Sequence, residues 1–182
     1  MRIIFICTGN TCRSPMAEGI LKDLAIKNNL DIKVQSAGVY AGKNNNAADF
    51  AIEAMKDIGI NISNHKSDQV NGELLDKTDL VLTMSNSHKK QILSQYPSIN
   101  GKVFLLNEFA YGEERDIEDP FGAPLRYYEK ARDEIYKAVE EIVKKVNSEQ
   151  WTTENIKERN GREHRPRRSE SNLLNLNLIV HC

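Results

Sequence analysis

The chain of 182 residues is long enough for one domain of ordinary size, and its 40% hydrophobic and 28% charged residues are typical of a folded globular protein. A formal net charge of -1 supplies no overall field that would attract nucleic acid or a membrane surface, so we expect neither as a partner. Three cysteines do not suit the disulfide framework of a small secreted protein, and the first residues lack the pattern of a signal peptide. We therefore expect a cytoplasmic protein.

Short apolar runs alternate along the chain with helical patterns. Ser14 and Pro15 are predicted as the N-cap and first residue of the first helix, and Gly59 is predicted to end the second. This alternation predicts an α/β fold with a parallel sheet and helices on both faces, so functional residues should lie beyond the carboxyl ends of the strands. Strands are expected at residues 2–6, 32–37, 79–84 and 102–106, and helices at 15–29, 47–58, from 85 or 86 to about 96, and 125–146.

The character of the chain changes after about residue 147. Six basic residues lie between positions 156 and 168, a pattern that would suit an arm for nucleic acid or an acidic partner. The same composition is typical of a solvated, disordered tail, which is the interpretation that we favour. We therefore predict a folded domain over residues 1–147 and a C-terminal tail over residues 148–182, either disordered or foreign to that domain.

The segment CTGNTCRS, residues 7–14, lies between the first predicted strand and the first predicted helix. A loop that ends at a helix N-terminus presents unpaired N–H groups to an anion such as phosphate. Gly9 and Asn10 tolerate the backbone angles that turn successive amides inward, and Arg13 can hold two phosphate oxygens with its planar guanidinium. The segment therefore predicts a phosphate-binding loop, with the substrate-binding residues Thr8, Gly9, Asn10, Thr11, Cys12 and Ser14.

Cys7 begins this loop, where the positive field favours a nucleophilic thiolate. Ser14 can donate a hydrogen bond to the sulfur and ease its departure later. The alternative, a buried structural thiol at Cys7 with a surface ion pair at Arg13, leaves the glycine, asparagine and serine unexplained. Cys12 lies near enough in sequence for a reversible disulfide with Cys7, although a simple packing role for Cys12 is equally compatible.

These residues resemble a known family. Residues 7–18, CTGNTCRSPMAE, are similar to the signature of the low-molecular-weight protein phosphatases, and SAG at 36–38, DLVLTM at 79–84 and DPFG at 119–122 match further segments. The resemblance covers about residues 1–146. It implies a four-stranded parallel sheet in a three-layer, flavodoxin-like arrangement. It also implies hydrolysis of phosphorylated proteins through a cysteinyl-phosphate, with Cys7 and Arg13 as catalytic residues and no cofactor.

Such a reaction needs a proton for the leaving atom and later a base for the attacking water, and one carboxyl group can serve both steps. Asp-Pro pairs more commonly mark turns, but the resemblance assigns this catalytic role to Asp119. Asp116 and Glu118 are acidic alternatives without the Pro-Phe-Gly context. Pro120 would stiffen the loop, and Phe121 would form an aromatic wall beside the pocket.

The resemblance also implies supporting residues. Asn10 with Ser36 and His65 is similar to the polar network that fixes the phosphate loop in the family. For a lone histidine the usual interpretation is a structural one, and here the two interpretations coincide. Tyr40 lies in a loop that lines the mouth of the family's pocket.

The family divides at the position of Thr11. Members that act on phosphotyrosine usually carry Ile or Leu there, whereas the protein-arginine-phosphatase branch resembles CTGNTCRS and tends to DPFG, as in this chain. A small polar side chain would leave room for a guanidinium, and Asp119 could protonate its nitrogen. We therefore predict phosphoarginine in proteins as the substrate, with a protein-tyrosine phosphatase as the alternative.

Other classes fit the residues less well. An arsenate reductase would need further cysteines to relay a disulfide, but the chain has none between Cys12 and Cys182. A non-catalytic module that binds phosphoanions would not require both Cys7 and Asp119. We predict no metal site, because the four histidines are scattered without ligand spacing: His65, His88, His164 and His181.

Overall fold

The computed structural model of the protein describes residues 1–148, so the predicted tail beyond Ser148 lies outside the described residues. Four parallel strands form one sheet in the order β2-β1-β3-β4. This arrangement confirms the predicted α/β class and the four-stranded parallel sheet. The strands are β1 (Arg2–Cys7), β2 (Lys33–Gly38), β3 (Leu80–Thr83) and β4 (Val103–Leu105).

Helices connect the strands, and the four predicted ones are present with shifts of one to two residues at most of their ends. Two short helices and a 3₁₀ turn were not predicted, because five or six residues are too few to show a helical repeat of apolar positions. The helices are α1 (Arg13–Lys27), α2 (Asp49–Asp57), α3 (Gly72–Asp76), α4 (Asn86–Gln95), α5 (Leu106–Tyr111) and α6 (Leu125–Asn147), with the 3₁₀ turn at Pro97–Lys102.

The sheet separates two hydrophobic cores. Ile3 and Phe5 of β1 face one core, which α1, α2, α5 and α6 cover, while Ile4 and Ile6 face the other, which α3 and α4 cover. Because β1 is buried on both faces, its sequence is a continuous apolar run rather than an alternating one. Among the described residues, the helices are all too short or too polar to cross a membrane.

The start of α1 differs from the prediction. The helix begins at Arg13, with Cys12 at the N-cap position, and none of the described side chains caps it by a hydrogen bond. Ser14 is therefore a buried residue of the first turn rather than a cap, and its hydroxyl contacts other partners. At the second predicted helix, Gly59 follows the end of α2 with φ of 78°, as its role as a terminator requires.

The topology brings the carboxyl ends of three neighbouring strands to one edge of the sheet. Cys7 ends β1, the strand between β2 and β3, and it is in register with Gly38 at the end of β2. Thr83 ends β3 and is in register with Ile6. The loop that begins at Cys7 therefore has β2 on one side and β3 on the other.

Candidate active site

A cavity of about 210 Å³ lies over the loop between β1 and α1. Cys7 is 3% exposed, and its Sγ atom lies 3.0 Å from Oγ of Ser14. Because α1 begins at Arg13, its N-terminus is directed at the same space. The cavity is lined by Cys7, Thr8, Gly9, Thr11, Cys12, Arg13, Asp119 and Phe121.

Asn10 is a residue of the loop whose side chain connects the loop to β2. Its backbone has φ of 54°, in the left-handed region that asparagine tolerates better than most residues, and its side chain is fully buried. Nδ2 donates to Ser14 Oγ at 2.9 Å and to Ser36 Oγ at 2.8 Å, and Oδ1 accepts from the backbone N–H of Asp68 at 2.9 Å. Asn10 and Ser14 are thus positioned to hold the loop in shape rather than to line the cavity.

The bracing network extends to His65 and to Glu18, a residue that sequence reasoning did not single out. His65 Nε2 lies 2.8 Å from the carbonyl oxygen of Asn10, and the Ser36 hydroxyl donates to Glu18 Oε2 at 2.5 Å. The other ring nitrogen of His65 is 3.9 Å from the same carboxylate oxygen. The structure therefore brings together Asn10, Ser36 and His65.

The guanidinium of Arg13 is held on two sides. Nη1 donates to the carbonyl oxygen of Ile117 at 3.1 Å, and Nη2 pairs with the carboxylate of Asp119. Nε is buried and has no hydrogen-bond partner among residues 1–148. A buried N–H donor without an acceptor costs free energy, so this guanidinium is suited to donate to an anionic oxygen that enters the site.

Asp119 is the acidic residue that faces the cavity. Its carboxylate is 46% exposed and also accepts from the N–H of Phe121 at 3.2 Å. The two acidic alternatives have other partners: Asp116 accepts from the backbone N–H of Asn86 at 2.7 Å, and Glu118 pairs with Lys130 at 2.8 Å.

On the side of α6, Cys12 lines the cavity and Tyr128 lies buried beside it. The Cys12 thiol lies 3.8 Å from the Tyr128 hydroxyl and 3.6 Å from Oγ1 of Thr11. Burial raises the pKa of the Cys12 thiol, and burial together with the neighbouring Cys12 raises the pKa of Tyr128 to about 12. Cys12 is thereby favoured as a neutral thiol. Both Cys7 and Cys12 are free thiols in the structure, and the disulfide between them stays a prediction.

On the β3 side, His88 contacts the loop. From the sequence, this histidine is considered only as a possible metal ligand. Nε2 of His88 lies 2.9 Å from the Thr8 hydroxyl, and Nδ1 lies 2.8 Å from the Ser85 hydroxyl. Burial, assisted by the positive charge of Arg13, lowers the pKa of His88 to about 4. Its position just beyond the end of β3 could have identified it from the sequence, because functional residues of parallel sheets lie beyond the carboxyl ends of the strands.

The two predicted aromatic residues are both exposed. Phe121 is 77% exposed and lines the cavity, as a wall at its rim. Tyr40 is 71% exposed, and it is not among the described residues that line the cavity. It contacts the loop through its backbone, because its N–H donates to the carbonyl oxygen of Thr8 at 2.9 Å. Within residues 1–148, no three His, Cys, Asp or Glu side chains are grouped so that they could hold a metal ion.

Fold and site together define an α/β protein with a thiol at the base of an anion-binding loop. Residues 2–152 match the sequence model of the family described as low molecular weight phosphotyrosine protein phosphatase. The chain belongs to this family. The match ends five residues beyond the predicted domain boundary at residue 147, outside the described residues.

The relatives that this chain resembles are named for two different substrates, phosphorylated arginine and phosphorylated tyrosine. A protein-arginine-phosphatase of Bacillus subtilis is 42% identical over 149 residues, which cover 82% of this chain and 99% of the relative. The structure of a YwlE arginine phosphatase variant with a phosphorylated active-site serine in place of cysteine has a TM-score of 0.80 at 40% identity, over 82% of this chain and 98% of that one. The structure of a low molecular weight protein tyrosine phosphatase from T. tengcongensis has a TM-score of 0.77 at 43% identity, over 80% of this chain and 99% of that one.

Proposed function

We propose that the protein is a cysteine-dependent protein phosphatase that hydrolyses phosphoarginine in proteins. The observation that carries the proposal is the convergence of three residues on one cavity: Cys7 with its thiol, Arg13 with its guanidinium and Asp119 with its carboxyl group. A nucleophile, an anion holder and a proton donor are the parts that phosphoryl transfer to a thiol requires. No metal or cofactor is part of the proposed reaction.

In the first step, the thiolate of Cys7 attacks phosphorus, so that a sulfur–phosphorus bond forms while the bond from phosphorus to the substrate nitrogen breaks. Asp119 gives its proton to the departing nitrogen. The N–H groups of the loop and the guanidinium of Arg13 hold the phosphoryl oxygens, where negative charge accumulates. For this, Arg13 exchanges part of its contact with Asp119 for the phosphate.

In the second step, Asp119 takes a proton from a water molecule, which attacks the cysteinyl-phosphate. The sulfur–phosphorus bond breaks and inorganic phosphate leaves. Ser14 Oγ, at 3.0 Å from the sulfur, can donate a hydrogen bond to Cys7 as it departs with the electron pair. The enzyme returns to its starting protonation state, and no oxidant or reductant is needed.

The preference for phosphoarginine is supported by Thr11, which lines the cavity, and by the similarity to the arginine phosphatase of B. subtilis. A threonine offers a smaller, polar contact where a guanidinium would lie. The carboxyl group of Asp119 suits a guanidinium nitrogen in both of its forms, because the carboxylate accepts a hydrogen bond and the protonated acid donates the proton that the leaving nitrogen needs. The family description and the T. tengcongensis relative keep phosphotyrosine as the alternative substrate.

A paired assay tests the proposal. Phosphate release is measured for a protein carrying phosphoarginine and for a phosphotyrosine peptide, with wild-type protein and with Cys7→Ser as the control for catalysis by the thiol. We expect the larger kcat/KM on phosphoarginine, and no turnover by Cys7→Ser although it still binds substrate. A preference for phosphotyrosine would overturn the substrate, and turnover by Cys7→Ser would overturn the nucleophile.

We propose that residues 1–147 form the catalytic domain and that residues 148–182 are a tail outside it. We also propose a cytoplasmic location, since the expected chemistry depends on reduced thiols.

A further inference from the structure

The phosphate loop is braced from both neighbouring strands, and only one of these braces belongs to the network expected from the sequence. On the β2 side, Asn10 connects the loop to Ser36 and His65. On the β3 side, the connection runs through Thr8 and the imidazole of His88, 80 residues later in the chain. Because Thr8 directly follows Cys7, this second brace acts on the part of the loop that carries the thiol.

The fold holds His88 firmly. It lies in the first turn of α4, whose N-cap is Ser85, and it is 5% exposed. The Ser85 hydroxyl lies 2.8 Å from Nδ1 of the ring and also accepts from the backbone N–H of His88 at 3.4 Å. Ser87 Oγ, at 2.8 Å, completes the contacts of Ser85. The ring therefore spans a fixed distance from the N-terminus of α4 to the loop.

The ring is uncharged at neutral pH. Burial and the nearby positive charge of Arg13 lower the pKa of His88 to about 4, against weaker opposing effects of Asp119 and Asp116. A neutral imidazole has one donor and one acceptor nitrogen, so it can link two hydroxyl groups in one defined direction. This gives the Thr8 hydroxyl a fixed orientation.

Thr8 is held at a second point through its backbone. Its carbonyl oxygen accepts from the N–H of Tyr40 at 2.9 Å, while its side chain contacts His88. Two anchors on opposite sides of one residue fix the peptide planes that follow Cys7, and these planes set where the loop N–H groups point. His88 itself does not need to touch the substrate.

We infer that His88 is a positioning residue for phosphoryl transfer, which acts through the Thr8 hydroxyl to fix the loop beside Cys7. The inference rests on the proposed function, because it concerns the catalysis of the same loop. It assigns a role to a histidine that belongs neither to the group formed by Cys7, Arg13 and Asp119 nor to the network around Asn10.

The experiment is a double-mutant cycle on full-length protein with p-nitrophenyl phosphate, a substrate whose good leaving group needs little protonation by Asp119, so that turnover depends mainly on the loop and the thiol. The variants are His88→Leu, Thr8→Val and the double variant, with kcat, KM and the thermal midpoint measured for each. His88→Gln is included because a glutamine can again present a polar group to Thr8. Ile92→Val is the matched control, since Ile92 is buried on the same helix and packs in the core that α3 and α4 cover.

We expect His88→Leu and Thr8→Val each to lower kcat about 2- to 12-fold with little change in KM, the range that one hydrogen bond supplies. The double variant should lose no more than either single variant, and His88→Gln should recover part of kcat. Ile92→Val should lower the thermal midpoint and leave kcat unchanged.

Additive losses in the double variant, or wild-type kcat in Thr8→Val, would overturn the inference. Thr8→Val decides this even if His88→Leu fails to fold. A wild-type protein that hydrolyses no phosphate substrate would overturn the proposed function and this inference with it, whereas additive losses in an active enzyme would overturn the inference alone.

Discussion

Gly38 at the end of β2 provides a sharp test of how closely the sheet supports the phosphate loop. A Cβ atom at this position would lie 2.5 Å from the carbonyl oxygen of Thr8, 2.9 Å from Cβ of Ala41 and 3.0 Å from the backbone nitrogen of Asn10. Two of these three atoms are backbone atoms of the loop, so no side-chain rotation can relieve the contact. Ordinary contact begins at 3.4 Å, and Gly38→Ala must therefore move the loop or the strand by about 0.9 Å.

A displacement of about 1 Å in the groups that position a reaction can cost about 100-fold in rate. We therefore expect Gly38→Ala to lower kcat for p-nitrophenyl phosphate by one to two orders of magnitude, which steady-state kinetics measures directly. Gly72→Ala is the matched control, because its Cβ would meet only the ring of Tyr96, at the ordinary distance of 3.4 Å. Gly72→Ala should keep wild-type kcat.

Circular dichroism and thermal unfolding of both variants separate a displaced loop from a lost fold. A folded Gly38→Ala protein with wild-type kcat would refute the reasoning, because the loop would then tolerate the extra methyl group. If Gly38→Ala unfolds at a much lower temperature than Gly72→Ala, the clash lowers the stability of the fold rather than the rate of the reaction.

Three further predictions concern the acid, the substrate contact and the buried histidine. Asp119→Ala should lower kcat/KM, which reports the first step, far more for phosphoarginine protein than for p-nitrophenyl phosphate, whose leaving group needs little protonation. Equal losses in kcat/KM on both substrates would contradict the role as acid. Thr11→Ile should shift the ratio of kcat/KM from phosphoarginine towards phosphotyrosine by about 10- to 200-fold, and an unchanged ratio would transfer selectivity to Phe121 or Tyr40. The pKa of His88 is about 4 in the folded protein and about 6.5 in the unfolded chain, so the unfolded state binds more protons between these two pH values. The free energy of unfolding should therefore fall by roughly 3 kcal/mol as pH drops from about 6.5 to 4. His88→Gln should remove this part of the acid sensitivity in urea unfolding at pH 7 and pH 4, and an unchanged pH dependence would contradict the buried neutral ring.

Local patterns predicted the elements that are long or fully buried. The apolar run of β1 is continuous because that strand is buried on both faces, and the apolar stripe of α6 extends over enough residues to show the helical period. Both elements are present at nearly the predicted bounds. The short helices α3 and α5 were missed, since a single turn shows no period. The start of α1 was misplaced because Ser14 has the residue type of a cap, whereas its hydroxyl contacts Cys7 and Asn10.

The sequence by itself determined that a thiol and an arginine share one loop, because Cys7 and Arg13 are six residues apart and a strand before them and a helix after them set the loop's shape. Only the tertiary structure decided which distant groups face that loop. Asp119 meets Arg13 across 106 residues, and His88 meets Thr8 across 80. Such contacts depend on strand order and on the path of each crossover, which bring together residues that no local pattern relates.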